Sequence, residues 1–541
     1  MNYLRHLGHR QGAAQQCGLP VEAMEDHLPA RRQRLARQTR REFIRNAALA
    51  SAGLALSHSL SAKPAGSRQP RIAIVGAGIS GLQCALTLAD KGLHSDVYEA
   101  SGRIGGRMFS NNQGYWSDGQ VSEWCGELID SGHQTIQDLA ARFGLTLDDL
   151  RAAEPNHSED TYYFIGHYYA HADVVRDFQP VYQAVQDDAT AAGYPTTYNQ
   201  NNAAGRHLDN QSVWEWIRRR VPGGHASRMG QLLDTAYTIE YGADTRDQSA
   251  LNLIYLLSGS DQAFEIFGAS DERFHIRGGN QLLPLAMANH LAGLGVPVQT
   301  SRSLSAIHQS ADGTYRLSFE SGSSSKEVVA DLVVLTLPFA VLRTLDYHDA
   351  GFDALKQIAI QELGRGHNGK LQLQFIRRLW DRQGPWGLGT GSSYADTGYQ
   401  NSWEVTRAQN GQSGILNDYT GGTVTDRMNT STAFARLPSP GVRLDSERFL
   451  GQVAPVFPGL APLWNGKVTQ SLPHLSPFFN CSYSYWRVGQ YQVFAGYEAV
   501  RQKNVFFAGE HTSVNFQGYM EGAAEEGDRA AQEILAQLGL S

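Results

Sequence analysis

Short apolar runs and segments of helical periodicity follow one another from residue 72 onward. Residues 72–75 form an apolar run of strand length, and residues 82–89 carry apolar side chains at helical spacing. A second strand is predicted over residues 96–98. Parallel strands need a crossover connection between them, which is usually a helix. This order of elements therefore predicts a βαβ unit.

The same kinds of pattern return further along the chain. A helical segment ends near Leu294, a hairpin is predicted around Gly313, and residues 332–337 form an apolar strand. Towards the C-terminus, residues 505–508 form another strand, and a helix continues to Leu535. We interpret these parts and the βαβ unit as one discontinuous domain, over residues 63–146, 273–358 and 474–541.

Two insertions separate the segments of that domain. Residues 147–272 are rich in aromatic side chains, and residues 359–473 contain tryptophans at positions 380, 386, 403 and 464. We expect the two insertions to build a second domain that encloses a substrate. The predicted fold class is α/β, or more fully an α+β two-domain protein in which a Rossmann-like domain is interleaved with a substrate domain.

Three glycines follow the first strand in the pattern G-x-G-x-x-G. Gly76 permits a tight turn, Gly78 lets the backbone approach a pyrophosphate, and Gly81 lets the helix pack closely on the strand. The N-terminus of the helix adds free N–H groups and the positive end of its dipole. These features favour a dinucleotide, although the glycine pattern alone is also found in ordinary turns.

Acidic and basic residues downstream strengthen this interpretation. Glu99 ends the second strand, where an acid can accept hydrogen bonds from ribose hydroxyls. The run Arg103-Ile104-Gly105-Gly106-Arg107 follows, and the Arg107 guanidinium suits phosphate oxygens. With strand, helix, acid and arginines in register, the sequence predicts bound FAD.

The C-terminal segment carries a second signal of the same kind. Gly509 and Glu510 end a strand, and residues 517–523 open a helix whose N-terminus can stabilise negative charge on a flavin. Glu510 is predicted to bond the ribityl hydroxyls. The alternative is that Glu510 caps a surface turn.

Composition limits the partners and the location of the protein. The 541-residue chain is 41% hydrophobic, and it has no apolar run long enough to cross a bilayer, so we expect no stable membrane insertion. Cys84, Cys125 and Cys481 show no metal-ligand spacing and no disulfide framework, so no metal is predicted. Cys84 is expected to be a buried small hydrophobe on the first helix.

The first 62 residues differ from the rest. They hold nine arginines and four acids, and Arg40-Arg41 is followed by the mildly apolar run of residues 47–56. This pattern resembles a twin-arginine export signal, with a cleavage point after Ala62, although Met24 is an alternative start. The alternative interpretation is a basic disordered arm. We expect export by the twin-arginine machinery, and a periplasmic or secreted protein.

Removing this leader leaves a formal net charge of about −12. Nucleic acid is therefore not an expected partner. An acidic body favours encounter with cationic small molecules, while the simpler interpretation is a well-solvated surface.

From residue 71 onward the chain resembles the flavin amine oxidase family, which includes monoamine oxidases, polyamine oxidases and L-amino acid oxidases. The resemblance rests on the glycine motif with Glu99, the Arg103 run, Gly126 in W-C-G-E-L-I-D, and the stretches I-R-G-G-N, L-T-L-P-F, A-G-E and G-Y-M-E-G. It implies an interleaved FAD domain and hydride transfer from the amine-bearing carbon to the flavin. The implied cofactor residues are Gly76, Gly78, Gly81, Glu99, Arg103, Gly106, Arg107, Gly126, Glu127, Gly509, Glu510 and Met520.

The resemblance also implies two aromatic side chains that flank the amine in front of the flavin. Tyr519 matches one by its place in G-Y-M-E-G, and Tyr483 is our choice for the other, with Tyr485 or Trp486 as alternatives. Aromatic core packing is the competing interpretation for both.

A third catalytic candidate is Lys370, which resembles the lysine that holds a water near the flavin and helps O2 accept electrons. It lies in an alternating strand pattern and shares a face with Gln372; an exposed position is the alternative. Some relatives attach FAD through a cysteine near Cys481, but our alignment puts Ser482 at that site, which favours non-covalent FAD.

The substrate class rests on a departure from the family pattern. L-amino acid oxidases commonly carry an arginine shortly after the glycine matched by Gly126, where it clamps the substrate carboxylate. Here Glu127 and Asp130 follow instead, which favours an amine without an α-carboxylate. Arg365 is an alternative carboxylate ligand. We interpret His133 and Glu240 as structural polar residues; the alternative is that they line the cavity.

The leading hypothesis is thus an exported amine oxidase that yields an imine, then aldehyde and ammonia, and hydrogen peroxide from O2. The alternative is an L-amino acid oxidase giving a 2-oxo acid. A dehydrogenase with another acceptor and a non-catalytic flavoprotein remain as further alternatives. A homodimer is also expected.

Overall fold

A computed structural model describes residues 69–261, 264–322 and 324–540. The predicted twin-arginine segment lies outside the described residues. The compact unit considered below spans Pro70–Ser541.

The β-strands are named in chain order. They are β1 (Ile72–Val75), β2 (Asp96–Tyr98), β3 (Ser110–Asn111), β4 (Ser122–Glu123), β5 (Leu147–Asp149), β6 (Glu159–Phe164), β7 (His167–Tyr168), β8 (Phe274–Ile276), β9 (Val298–Gln299), β10 (Ser303–Gln309), β11 (Tyr315–Ser321), β12 (Ser324–Ala330), β13 (Leu332–Leu335), β14 (Gly364–Arg365), β15 (Asn368–Phe375), β16 (Gly389–Ala395), β17 (Asn401–Glu404), β18 (Gly414–Gly421), β19 (Phe434–Arg436), β20 (Trp464–Ser471), β21 (Ser484–Tyr485) and β22 (Val505–Phe507).

The α-helices are named in the same way. They are α1 (Ile79–Asp90), α2 (Gln134–Arg142), α3 (His171–Ala192), α4 (Ala203–Asp209), α5 (Val213–Arg220), α6 (Arg228–Tyr241), α7 (Ala250–Leu257), α8 (Leu282–Gly293), α9 (Phe339–Leu342), α10 (Ala354–Glu362), α11 (Pro440–Val453), α12 (Gln490–Phe494) and α13 (Met520–Gln537). Within the described ranges, none of these helices combines the length and apolar character that a membrane span requires.

A five-stranded parallel sheet carries the glycine motif. Its strand order is β22-β13-β1-β2-β9, and Ile72 pairs with Leu332 while Val333 pairs with Val505. The strands β1, β13 and β22 are buried along their whole length, as expected for a parallel sheet covered on both faces. The five strands fall within the three segments assigned to the discontinuous domain.

The two faces of this sheet are covered differently. On one face α1 and α13 pack so closely that a Cβ on Gly527 would lie 2.2 Å from the carbonyl oxygen of Ser80. The other face belongs to a core that also includes side chains of β10 and β11, and the ring of Tyr98 stacks on Phe319 at 4.4 Å. The sheet is therefore sandwiched between helices and a three-stranded antiparallel layer.

An eight-stranded sheet forms the second architectural unit. Its order is β19-β20-β15-β18-β17-β16-β6-β7, and β6 and β16 pair in parallel. Its strands come from the two insertions, residues 147–272 and 359–473. Leu371, Leu373 and Leu416 pack under it with α11. Every residue of β15 is buried, so this strand carries its side chains into the protein interior.

Several expectations from the sequence hold in the structure. The mixed architecture with a parallel sheet confirms the predicted fold class. The hairpin around Gly313 is formed by β10 and β11. The strand predicted over residues 332–337 is shorter and ends at Leu335; the Thr336 hydroxyl then donates to the Val75 carbonyl, and Pro338 has no N–H to donate. The domain limits themselves stay a prediction.

Candidate active site

The turn between β1 and α1 is shaped by its glycines. Gly76 has φ +110°, and a Cβ on Gly81 would lie 2.0 Å from the Gly76 carbonyl oxygen. Any side chain at Gly81 would push the helix away from the strand. Gly81 therefore acts by packing, and it does not belong to the residues that line the cavity described below.

The N-terminus of α1 is free to receive an anion. Its N-cap residue Gly78 supplies no capping side chain, and no acid lies in the first turn. A Cβ on Gly78 would meet only the Cα of Gly106, at 3.9 Å, so space lies in front of the backbone. Free N–H groups, the dipole and open space together fit a pyrophosphate, which is the group that FAD would place there.

Glu99 stands beside this turn with a fixed carboxylate. It accepts hydrogen bonds from the Ala77 N–H at 2.9 Å and from the N–H and hydroxyl of Ser101. A carboxylate has about four acceptor sites, so capacity remains for a ribose hydroxyl. Arg302, which sequence reasoning missed, lines the same part of the cavity.

The two arginines of the R-I-G-G-R run have different positions. Arg103 donates to the Gly106 carbonyl oxygen, and its guanidinium lies 3.9 Å from the centre of the Phe109 ring. Arg103 is not among the described residues of the cavity wall and it holds the loop, so its direct contact with the cofactor stays a prediction. Arg107 does line the cavity, and it donates to Ser482 O at 2.8 Å and to Glu510 at 3.0 Å.

Glu510 lines the cavity and is held by several donors of the chain. Its oxygens accept from Arg107, from the N–H and hydroxyl of Ser484, and from the Gly518 N–H. Burial opposes ionisation, but the Arg107 charge and these hydrogen bonds hold the pKa of Glu510 below its ordinary value. With four donors from the chain, Glu510 positions Arg107 and the turn before α13, and its bond to the ribityl hydroxyls stays a prediction.

The remaining predicted cofactor residues lie in one wall. Gly106, Gly126, Gly509 and Met520 all line the cavity. A Cβ on Gly126 would lie 3.0 Å from the Met520 sulfur, so glycine lets the start of α13 approach the W-C-G-E segment.

Tyr483 and Tyr519 come together at the other end of the same cavity. Both line it, whereas the alternatives Tyr485 and Trp486 do not within the described part of the chain. A Cβ on Gly518 would lie 3.7 Å from the Tyr483 ring, which places Tyr483 against the residue before Tyr519. The structure thus brings the predicted aromatic pair together.

Hydrogen bonds fix the tips of the two rings. The Tyr483 hydroxyl lies 2.9 Å from that of Tyr419, and it donates to the Ile239 carbonyl. The Tyr519 hydroxyl donates to Glu240 at 3.2 Å. Burial raises the pKa of both tyrosines well above the ordinary value, so both stay neutral.

Lys370 lies in the buried strand β15 and does not take the exposed position that was the alternative. Its Nζ donates to Glu127 Oε2 and to the Cys125 carbonyl, both at 2.6 Å. Glu127 also accepts from the Trp403 indole at 2.9 Å. The Glu127 carboxylate thus fixes the Lys370 ammonium at the cavity wall, and the role of Glu127 toward the cofactor stays a prediction.

Several cavity residues were missed because they meet only in the folded chain. Glu272, Tyr394, Trp403 and Tyr419 come from the two insertions, and Glu240, interpreted as structural, lines the cavity with them. The many aromatic residues of the two insertions indicated that these insertions would line the cavity, but they did not indicate which residues would do so. His133 lies outside the cavity wall within the described ranges, where it is held by Asp130 and contacts the edge of the Tyr519 ring.

Cys481 is buried with its thiol directed to the Phe479 carbonyl, and it is not among the described residues that line the cavity, whereas its neighbour Ser482 is. This arrangement agrees with non-covalent FAD. Cys84 is buried in α1 as expected, and burial raises the pKa of its thiol to about 12. Arg365 bonds Asn480 away from this wall, so the described structure gives it no place as a substrate ligand.

Outside the cavity wall, three possible metal ligands meet that no sequence spacing indicated. His367, Asp426 and His474 place one ligand atom each within 4.8 Å of one another. The His367 ring is paired with Asp426 at 2.8 Å and stacks on His474 at 4.5 Å. The geometry is that of a stacked, hydrogen-bonded group, and its expected lack of metal stays a prediction.

One cavity of about 530 Å³ therefore joins a dinucleotide cradle to an aromatic chamber. The fold and this site define a two-domain FAD-dependent oxidoreductase. Sequence comparison then gives the family: the model described as flavin containing amine oxidoreductase matches residues 79–535, and the chain belongs to that family. It is an enzyme that uses FAD to oxidise amine-bearing carbon atoms.

Individual relatives are distant but span the chain. It is 21% identical to the L-amino-acid oxidase of Notechis scutatus scutatus, over 86% of this chain and 87% of the relative. It is 22% identical to the nicotine dehydrogenase of Pseudomonas putida, over 92% and 97%. The fold is similar to that of cyclohexylamine oxidase from Brevibacterium oxydans, with TM-score 0.73, 20% identity, and coverage of 87% and 100%.

Proposed function

We propose that this protein is an amine oxidase whose substrates lack an α-carboxylate. The observation that carries this proposal is the charge of the aromatic chamber. Glu240 and Glu272 line it, while the cationic side chains of the described cavity wall are Arg107, Arg302 and Lys370. Arg107 is engaged by Glu510 and Lys370 by Glu127. Burial raises the pKa of Glu240 to about 8 and that of Glu272 to about 7, so these two acids share little negative charge, but they offer a substrate carboxylate no cationic partner.

The chain's own residues would act by positioning. Tyr483 and Tyr519 form a neutral aromatic pair that orients the amine and excludes water. Lys370 presents a fixed ammonium at the cavity wall. The α1 N-terminus and Glu99 would hold FAD, which would supply the two-electron acceptor for the hydride and, in an oxidase, the route of the electrons to O2.

Matched pairs of amines and amino acids test the substrate class. The three pairs are phenethylamine and L-phenylalanine, tyramine and L-tyrosine, and cadaverine and L-lysine. Each compound would be added separately to the anaerobic holoenzyme while the flavin absorbance is followed. Each pair differs only by the α-carboxylate. We expect the amines to bleach the flavin and the amino acids to leave it oxidised. Bleaching by the amino acids would instead support an L-amino acid oxidase, and bleaching by neither group would contradict both.

Readmitting air after bleaching tests the electron acceptor. Prompt return of the flavin absorbance with hydrogen peroxide is the result expected for an oxidase. Slow return that a quinone dye accelerates would support a dehydrogenase instead.

We also propose that the protein is exported by the twin-arginine route, on the basis of Arg40 and Arg41 before an apolar run. Replacing both arginines with lysine should retain the protein and its FAD in the cytoplasm, as fractionation would show. Unchanged export would refute this route. The homodimer stays a prediction.

A further inference from the structure

We propose that Arg302 recognises the adenine base of FAD, so that the affinity of the protein for its cofactor depends on this base as well as on the pyrophosphate. The guanidinium would donate hydrogen bonds to acceptor nitrogens of the base. This inference concerns how the cofactor is held, and it does not depend on which amine the enzyme oxidises.

Arg302 differs from the other cations of the cavity wall. The cationic side chains of the described wall are Arg107, Arg302 and Lys370, and both Arg107 and Lys370 form ion pairs with glutamates. Within the described residues Arg302 forms no ion pair. Its Nη1 donates to the Ser301 carbonyl at 3.3 Å, and its buried Nε has no acceptor. A guanidinium has five N–H donors, so Arg302 keeps donors for a ligand, and a buried donor without an acceptor is costly.

Backbone hydrogen bonds hold Arg302 beside Glu99. The Glu99 N–H donates to the Gln299 carbonyl at 2.9 Å, and the Arg302 N–H donates to the Glu99 carbonyl at 2.8 Å. Between them, the Ser301 N–H donates to the Ser101 carbonyl at 2.9 Å. Ser301 has φ +56°, which is uncommon for a residue other than glycine. The turn between β9 and β10 is therefore fixed along the carboxyl end of β2, where the acid that suits a ribose lies.

An apolar slot continues from Arg302 along β10. Leu304 and Leu345 both line the cavity, and they are neighbours because the Asp346 N–H donates to the Ser305 carbonyl at 3.0 Å. Aliphatic side chains can cover the faces of a flat base, but they cannot bond its edge. Within this slot the edge would be left to Arg302.

The order of these groups matches the order of groups in adenosine diphosphate. A nucleotide whose pyrophosphate lies at the N-terminus of α1 and whose ribose reaches Glu99 would place its base at the slot beside Arg302. Adenine has ring nitrogens that accept hydrogen bonds, and a guanidinium is a donor only. The α1 N-terminus already provides for the pyrophosphate, so the base is the group that Arg302 serves.

The dissociation constant of FAD gives the first test. Holoenzyme would be diluted serially, and the released FAD followed by its fluorescence. Arg302→Leu should raise the dissociation constant about tenfold or more, because hydrogen bonds from a charged donor are lost. Arg302→Lys keeps the charge but lacks the planar fork, so it should also raise the constant. Arg316→Leu is the matched control, since Arg316 is exposed on the adjacent strand β11, and it should leave the constant unchanged.

A second measurement separates the base from the phosphates. ADP and UDP share the ribose and the diphosphate and differ in the base. Each would be added to holoenzyme that has been diluted until half of its FAD is free, and the further rise in free FAD gives the affinity of the competitor. The unchanged protein should bind ADP more tightly than UDP. Arg302→Leu should weaken ADP about tenfold and leave UDP within about twofold.

Three results would overturn the proposal. One is an unchanged dissociation constant of FAD in Arg302→Leu. The second is equal affinity of the unchanged protein for ADP and UDP. The third is an equal loss of affinity for both nucleotides in Arg302→Leu, which would assign Arg302 to the ribose or the phosphates.

Discussion

The Lys370–Glu127 ion pair gives the sharpest test of how the cavity wall is held together. The two side chains are only 10% and 6% exposed, and Nζ lies 2.6 Å from Oε2. Lys370→Met keeps most of the volume of the side chain and removes its charge. Glu127 is then left as a buried carboxylate with the Trp403 indole as its remaining donor.

Removing one partner of a buried ion pair costs about 3–5 kcal/mol, because the other charge stays buried and unpaired. We expect the lower end of that range, about 3 kcal/mol, since Trp403 still donates to Glu127. In the double variant Lys370→Met/Glu127→Gln no charge is left, and glutamine still accepts from Trp403. About 2 kcal/mol of the loss should therefore be recovered.

The assay is chemical unfolding of the holoprotein followed by tryptophan fluorescence, with the free energy of unfolding compared among the three chains. Arg142→Met is the matched control, because Arg142 and Asp90 form a 2.8 Å pair whose side chains are 40% exposed. That change should cost below about 1 kcal/mol. The reasoning is refuted if the double variant is as unstable as Lys370→Met, or if Lys370→Met costs no more than the control.

Two further predictions concern the cradle and its surroundings. Gly81→Ala would force a Cβ to within 2.0 Å of the Gly76 carbonyl oxygen, so we expect the free energy of unfolding to fall by about 3 kcal/mol or more. The purified variant should contain little FAD. The control is Gly102→Ala, where a Cβ meets nothing within 4 Å, and this variant should retain FAD. Burial lowers the pKa of His511 to about 4 from 6.5, so the unfolded chain takes up the proton first and stability falls as the pH drops between these values. His511→Leu removes this titration, so the free energy of unfolding lost over this pH range should be smaller by up to about 3 kcal/mol than in the unchanged protein. An unchanged pH dependence of unfolding would contradict the burial of this ring.

The sequence by itself determined the parts of the protein that depend on neighbouring residues. The apolar run of β1, the spacing of Gly76 and Gly81, and the acid Glu99 lie within one βαβ unit, so short-range chemistry is enough to indicate a dinucleotide cradle. The family resemblance added Tyr483, Tyr519 and Lys370, all of which the fold brings to one cavity.

Only the tertiary structure decided which charged side chains of that cavity form ion pairs with one another. Arg107 is separated from Glu510 by 403 residues and Lys370 from Glu127 by 243, so the sequence could not show that these side chains compensate one another. For the same reason the sequence could not show that Arg103 and Glu510 form hydrogen bonds with the chain, and their contact with the cofactor stays a prediction. Glu240 and Glu272 became informative once their neighbours were known, because the cost of a buried charge depends on what surrounds it and not on its place in the sequence.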